Sequence, residues 1–346
     1  MREYGSEHHW QSRAGYVTGS GGLELEGCSL FRSGRDAMKQ MARALPGMKI
    51  LLPALCCESM ILPFTLNGCP VEFYRLNEDL TGSEGDVLLK AGAGTVLLYM
   101  TYFDILPFTP AFLEKLRQRG VFLMEDRTQD ILMPRRGGFR PDATVASLRK
   151  WAAMPEGGLL KTSMKLPEAG TDGRFGALRR EAMEDKGEYL KSGRPELKES
   201  FLEKLHQADR LLDESGEPVA MSRENRMYLE ELDFEKILSA RRSNAAVLER
   251  ELEALKETGR LRPLSDSRNT AGLYYGLLLE NRDEVQRYMA ERGIYCPVIW
   301  PIPEMAAGVC ESCEYISGHI LALPCDQRYG GRDMEHMAEV LRAALT

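Results

Sequence analysis

Short apolar runs set the rhythm of the first half of this chain. Lys49–Leu52, Pro70–Tyr74, Thr95–Met100, Val121–Met124, Ala143–Ser147 and Gly158–Lys161 are each strand-sized, and Thr95–Met100 holds no charge. Between them the apolar period becomes helical over Asp36–Leu45 and Ala111–Arg119. Near-continuous apolar strands separated by helices predict a mostly parallel central sheet covered by helices.

The pattern changes near residue 165. From Lys165 to Asp233, Glu, Lys and Arg are abundant and strand signals are few, although Ser200–Asp213 repeats apolar residues at helical spacing. A longer helix is predicted over Phe234–Lys256, with Ile237, Ala240, Ala245, Leu248 and Leu252 on its apolar face. Leu273–Glu280 then reads as a strand, Arg282–Gly293 as a helix, Ile320–Pro324 as a strand and Asp333–Leu345 as the closing helix. The expected class is therefore α/β, with a smaller C-terminal α+β domain. The expected division is an N-terminal segment over 1–30, a large α/β domain over 31–215, and a helical connection with the small domain over 216–346.

Composition narrows the function classes. A chain of 346 residues buries a full core without disulfides or metals. Its 45 basic and 52 acidic residues leave a net charge of −7, which argues against a nucleic-acid or anionic-membrane partner. No apolar run approaches the roughly 20 residues of a bilayer span. Residues 1–17 lack the apolar stretch of a secretory signal, so a cytoplasmic protein is expected. The eight cysteines then read as free thiols. Cys310-x-x-Cys313 is the one redox-like spacing, and no second Cys pair or His cluster accompanies it.

Three segments carry candidate chemistry, each with a plainer alternative. Ser33-Gly34-Arg35 enters a helix, where free backbone N–H groups and the positive dipole end suit a phosphate; an ordinary N-cap gives the same pattern. Asp126 ends an apolar strand, where ligands of open α/β sheets bind, and it can hold a protonated ring nitrogen or simply cap a helix. Lys150, in Ser147-Leu148-Arg149-Lys150, also follows a strand; desolvation or the adjacent Arg149 would favour a Schiff-base amine, against the alternative of a solvated lysine. Arg149 and Arg328 are further candidates, for a substrate carboxylate or phosphate, or else for surface ion pairs.

The order of phosphate turn, acid and Ser-x-x-Lys resembles the pyridoxal-phosphate enzymes of the aspartate aminotransferase fold, fold type I. The chain further resembles the DegT/DnrJ/StrS family of aminotransferases, over roughly residues 20 to 345. The likeness rests on Leu52-Pro53-Ala54-Leu55, Gly68-Cys69-Pro70-Val71, Asn77 to Thr81, Asp126 with Gln129 three residues on, Asn225-Arg226-Met227 and Leu323-Pro324. Residues 165–219 match least. Two departures mark a divergent branch: Cys56 or Cys57 stands where members stack an aromatic or His on the cofactor, and Ser147 is closer to Lys150 than usual, with no His between them.

The resemblance implies pyridoxal 5'-phosphate as cofactor, bound to Lys150, with Asp126 on the ring nitrogen and Gln129 on the ring or its phenolic oxygen. It implies Ser33, Gly34, Arg35 and Ser147 around the phosphate, Cys57 beside the ring, and Asn225 reaching the phosphate of a partner subunit in a homodimer. The implied reaction moves an amino group from glutamate to a keto-sugar nucleotide or related carbonyl compound. A lyase, dehydratase or decarboxylase using the same cofactor, and a non-catalytic protein on the same fold, are the alternatives.

Overall fold

In the computed structural model, which describes residues 3–10, 22–135, 137–264, 270 and 272–345, the apolar runs assemble into one large sheet. The chain opens with β1 (Tyr4–Gly5) and continues through β2 (Cys28–Phe31), β3 (Lys49–Pro53), β4 (Val71–Tyr74), β5 (Thr95–Met100), β6 (Phe122–Asp126), β7 (Ala143–Ser147) and β8 (Gly158–Thr162). Seven of these form a sheet in the order β2-β8-β7-β6-β5-β3-β4. Strands β4, β3, β5, β6 and β7 pair in parallel, while β8 runs antiparallel to both β7 and β2. Every residue of central β5 is buried, whereas the edge strands β2 and β4 are partly open. Burial on both faces is what a charge-free run such as Thr95–Met100 requires.

Helices α1 (Gly34–Ala44), α2 (Glu58–Thr65), α3 (Glu84–Lys90) and α4 (Pro110–Gln118) alternate with these strands. Two begin as local chemistry dictates. The Ser33 hydroxyl accepts the Asp36 N–H at 3.1 Å, and the Thr109 hydroxyl accepts the Phe112 N–H at 3.2 Å with Pro110 in the first turn. The charged stretch after residue 165 folds as a helical hairpin of α5 (Arg174–Ser192) and α6 (Pro195–Asp213). Helix α7 (Arg223–Glu230) and the long α8 (Phe234–Glu257) lead into the C-terminal part.

That part contains β9 (Arg262–Pro263), β10 (Tyr275–Leu278), α9 (Arg282–Ala290), β11 (Ile294–Tyr295), α10 (Glu311–His319), β12 (Ile320–Leu323) and α11 (Gly331–Ala344). An antiparallel sheet in the order β12-β10-β9 shares a second core with α8, α9 and α11, built on Leu248, Leu277, Met289, Leu321 and Met337. The N-terminal stretch is not separate from either layer. β1 pairs in parallel with β11 and Tyr4 belongs to the second core, while β2 starts at Cys28, inside the segment expected to precede the large domain.

All eight cysteines are free. Cys310 Sγ caps α10 by accepting the Cys313 N–H at 3.4 Å, which gives the Cys-x-x-Cys spacing a structural role. No described helix is long and apolar enough to cross a membrane.

Candidate active site

A cleft of about 1020 Å³ opens at the carboxyl ends of the parallel strands. Met100 from β5, Asp126 from β6 and Ser147 from β7 line it, and Lys150 follows in the single 3-10 turn Leu148–Lys150. This is the position at which an open α/β sheet holds its ligands. Gly34, Arg35, Cys57 and Gln129 line the same cleft. Residues more than 100 positions apart in sequence therefore share one cavity.

Asp126 is buried, at 4% exposure, and its Oδ1 accepts the Thr128 N–H at 2.8 Å. Burial pushes its carboxyl above the ordinary range, opposed by the Thr128 hydrogen bonds and by the charge of Lys150. Thr128 ties three parts of the site together. Its hydroxyl accepts the Ser147 N–H at 3.0 Å, and its carbonyl accepts the indole N–H of Trp151 at 2.8 Å. Trp151 is fully buried, with the Arg241 guanidinium 4.9 Å from its ring centroid and its own carbonyl accepting from Gln327 at 2.7 Å. The residue after Lys150 is thus fixed on three sides, whereas the Lys150 side chain remains accessible in the cleft.

At the entry to α1 two glycines permit close approach. A Cβ on Gly34 would lie 3.3 Å from Ser147 Cβ, and one on Gly158 would fall 2.0 Å from the Ser33 carbonyl oxygen. The α1 N-terminus therefore seats directly against the ends of β7 and β8. Ser33 itself does not line the cleft: its buried hydroxyl donates to Asp36 Oδ2 at 2.6 Å while capping the helix. The helix cap and the Asp36 carboxylate thus occupy the Ser33 hydroxyl. The Arg35 side chain pairs with Asp213 of α6 at 2.6 Å.

Gln129 Oε1 accepts the Phe103 N–H at 2.9 Å, and its buried Nε2 has no acceptor. Cys57 Sγ lies 2.8 Å from the Ser59 hydroxyl, whereas Cys56 is fully buried outside the cleft. Asn225 is not among the cleft residues of its own chain. It sits in the first turn of α7, where Ser222 supplies the cap, and its Nδ2 donates to the Ser222 hydroxyl at 2.9 Å. Arg328 reaches the cleft but is held by Asp326 at 2.7 and 2.8 Å. That pair is buried rather than on the surface, and the guanidinium holds the Asp326 carboxyl well below the usual range.

Three contributors were not singled out from the sequence. Thr128 had a legible signal, since an Asp followed two residues on by a backbone donor is a common local turn. Trp151 directly follows Lys150, with nothing in the sequence to give it a role. Glu7 had no signal, because tertiary contacts bring it to the cleft: β1 pairs with β11, and Lys186 and Arg328 donate to its carbonyl.

No family model and no curated protein matches this chain in sequence. Solved structures do match its fold. S. venezuelae DesV in complex with a ketimine intermediate superposes with a TM-score of 0.66 at 17% identity, covering 96% of this chain and 91% of that one. NtdA from Bacillus subtilis with bound cofactor PMP gives 0.66 at 15% identity, covering 92% and 73%. Helicobacter pylori PseC, an aminotransferase of pseudoaminic acid biosynthesis, gives 0.65 at 12% identity and covers 99% of both chains. The fold is that of the fold type I aminotransferases.

Proposed function

We propose that the protein is a pyridoxal-phosphate-dependent aminotransferase that moves an amino group from an amino acid such as glutamate to a keto-sugar nucleotide or related carbonyl compound. The observation that carries this reading is that Lys150 and Asp126 open onto one cleft with the N-terminus of α1. The residues fit the cofactor. Gln129 Nε2 is a buried donor without an acceptor, Gly34 keeps a side chain out of the phosphate cradle, and Asp126 is a buried carboxylate.

When bound, the cofactor supplies the electron sink that protein side chains lack. The Lys150 amine would anchor it and then carry the proton to and from the substrate carbon. Asp126 would accept the ring N–H and keep that proton in place. The Gly34 and Arg35 amides, the α1 dipole and Ser147 would hold the phosphate. Gln129 would donate to the ring's phenolic oxygen, and Cys57 would stand beside the ring.

The large domain, residues 31–215, supplies these groups, and 216–346 closes the cleft from the other side. The homodimer belongs to the same proposal, with Asn225 serving the partner's phosphate; its position outside its own chain's cleft supports this. A cytoplasmic setting also belongs to it, supported by the eight free cysteines.

Borohydride reduction of protein loaded with pyridoxal phosphate, followed by peptide mapping, should place the label on Lys150, and Lys150→Ala should take none. A label on another lysine, or none on the wild type, overturns the assignment. Incubation with glutamate and a panel of keto-sugars and keto-acids, followed through the cofactor spectrum, then separates amino transfer from other reactions.

A further inference from the structure

Several arginines line the cleft, and nearly all are already committed. Arg35 pairs with Asp213 at 2.6 Å, Arg179 with Glu7 at 2.5 Å, and Arg328 with Asp326 at 2.7 Å. Arg328 also donates to the carbonyls of Ser6 and Glu7. Arg241 spends its donors on Gln327 and on the carbonyls of Gly272, Leu273, Lys150 and Trp151. Arg287 is exposed at the rim.

Arg149 differs. Its guanidinium lies over the Phe175 ring, 5.2 Å from the centroid, and its buried Nε has no acceptor. Arg32 and Arg179 face the same ring at 5.7 and 5.9 Å, and each has its own carboxylate, Asp36 and Glu7. Among the described residues, no carboxylate stands within ion-pair distance of Arg149. Burial and the charge of Arg179 pull its pKa down to about 9, only partly offset by the carboxylates of Glu7 and Asp209 beyond ion-pair distance, so an anion in direct contact would relieve the remaining cost. The backbone makes room for the side chain: a Cβ on Gly157 would lie 3.1 Å from Arg149 Cγ and 2.9 Å from its nitrogen.

We propose that Arg149 receives a carboxylate of the small-molecule substrate, and so acts as the specificity-determining cation of the cleft beside Lys150. A guanidinium with no carboxylate in contact can receive one negative charge, and its planar fork matches the two oxygens of a carboxylate. This rests on the proposed aminotransferase reading, in which an amino acid enters the cleft. The assignment leaves the cofactor phosphate to the α1 N-terminus.

The test measures calorimetric binding of L-glutamate and of glutarate, which bears carboxylates but no reactive amine, to wild type, Arg149→Lys and Arg149→Met. Both ligands should bind Arg149→Met about 10- to 100-fold more weakly than wild type, as expected for loss of a charged hydrogen-bonded pair, with Arg149→Lys between them. The affinity for pyridoxal phosphate should stay within about twofold in the same variants. Unchanged glutarate binding overturns the proposal. So does a loss of pyridoxal-phosphate affinity with glutarate binding retained, which would give Arg149 to the cofactor phosphate. Arg149→Met removes an unpaired buried charge and should melt no lower than wild type; if it does not fold, Arg149→Lys carries the same comparison. Glutarate binding needs no reaction at Lys150, so failure of the Lys150 labelling and failure of this site are separate results.

Discussion

Replacing Asp126 by Asn removes one charge and keeps the shape of the side chain. The amide oxygen can still accept the Thr128 N–H now at 2.8 Å, so the turn that also holds Ser147 and Trp151 survives. The charge is lost from a position where burial already disfavours it. A carboxyl with a raised folded-state pKa contributes stability at low pH that is lost as pH rises through that pKa. At neutral pH the ionised Asp126 is therefore a cost to the fold, and Asp126→Asn should be at least as stable as wild type. The difference should shrink as the pH falls through that raised value towards the ordinary carboxyl range. Turnover should move the other way. A neutral amide no longer favours a protonated ring nitrogen, and losing one preorganised electrostatic partner costs about 3 kcal/mol of barrier, or roughly 100-fold. The assay pairs urea unfolding at pH 7 and pH 4 with the rate of glutamate-dependent change in the cofactor spectrum. A variant with near wild-type turnover would refute the catalytic role. A variant that is clearly destabilised at pH 7 would refute the electrostatic argument.

Trp151→Phe should lower stability by about 1–3 kcal/mol, because the Thr128 carbonyl loses its indole donor inside the core; a urea midpoint equal to wild type would show that the bond contributes nothing. Loosening Thr128 should also slow turnover more than it weakens cofactor binding, which separate kinetic and affinity measurements distinguish. Mixing Lys150→Ala with Asn225→Ala subunits should restore activity above either parent, since a shared site leaves one of the two clefts with both lesions and the other intact. Full activity of Asn225→Ala alone, or no recovery in verified heterodimers, would leave Asn225 as a residue of the α7 cap network.

The sequence by itself determined the class of fold and the order of the chemical segments. Apolar runs such as Thr95–Met100 announce strands buried on both faces, and the spacing of Ile237, Ala245, Leu248 and Leu252 announces α8, because burial periodicity is a local property. Edge strand β2 and helices α2 and α3 were not legible; β2 is only partly buried, and α2 and α3 are too short to show a clear apolar face. The same limit hid α5, whose long polar face outweighs the narrow apolar stripe through Phe175 and Ala182, whereas Ser200–Asp213 already announced most of α6. Asp126 and Lys150 could be picked out because strand ends are readable along the chain. The fate of each polar group could not, because hydrogen bonds to distant partners decide it. Tertiary structure took the Ser33 hydroxyl for Asp36, committed Arg328 to Asp326, and brought Glu7 to Arg179. It left the Arg149 Nε without an acceptor. A guanidinium becomes a binding group only when no protein carboxylate reaches it, and that depends on residues the sequence places more than a hundred positions apart.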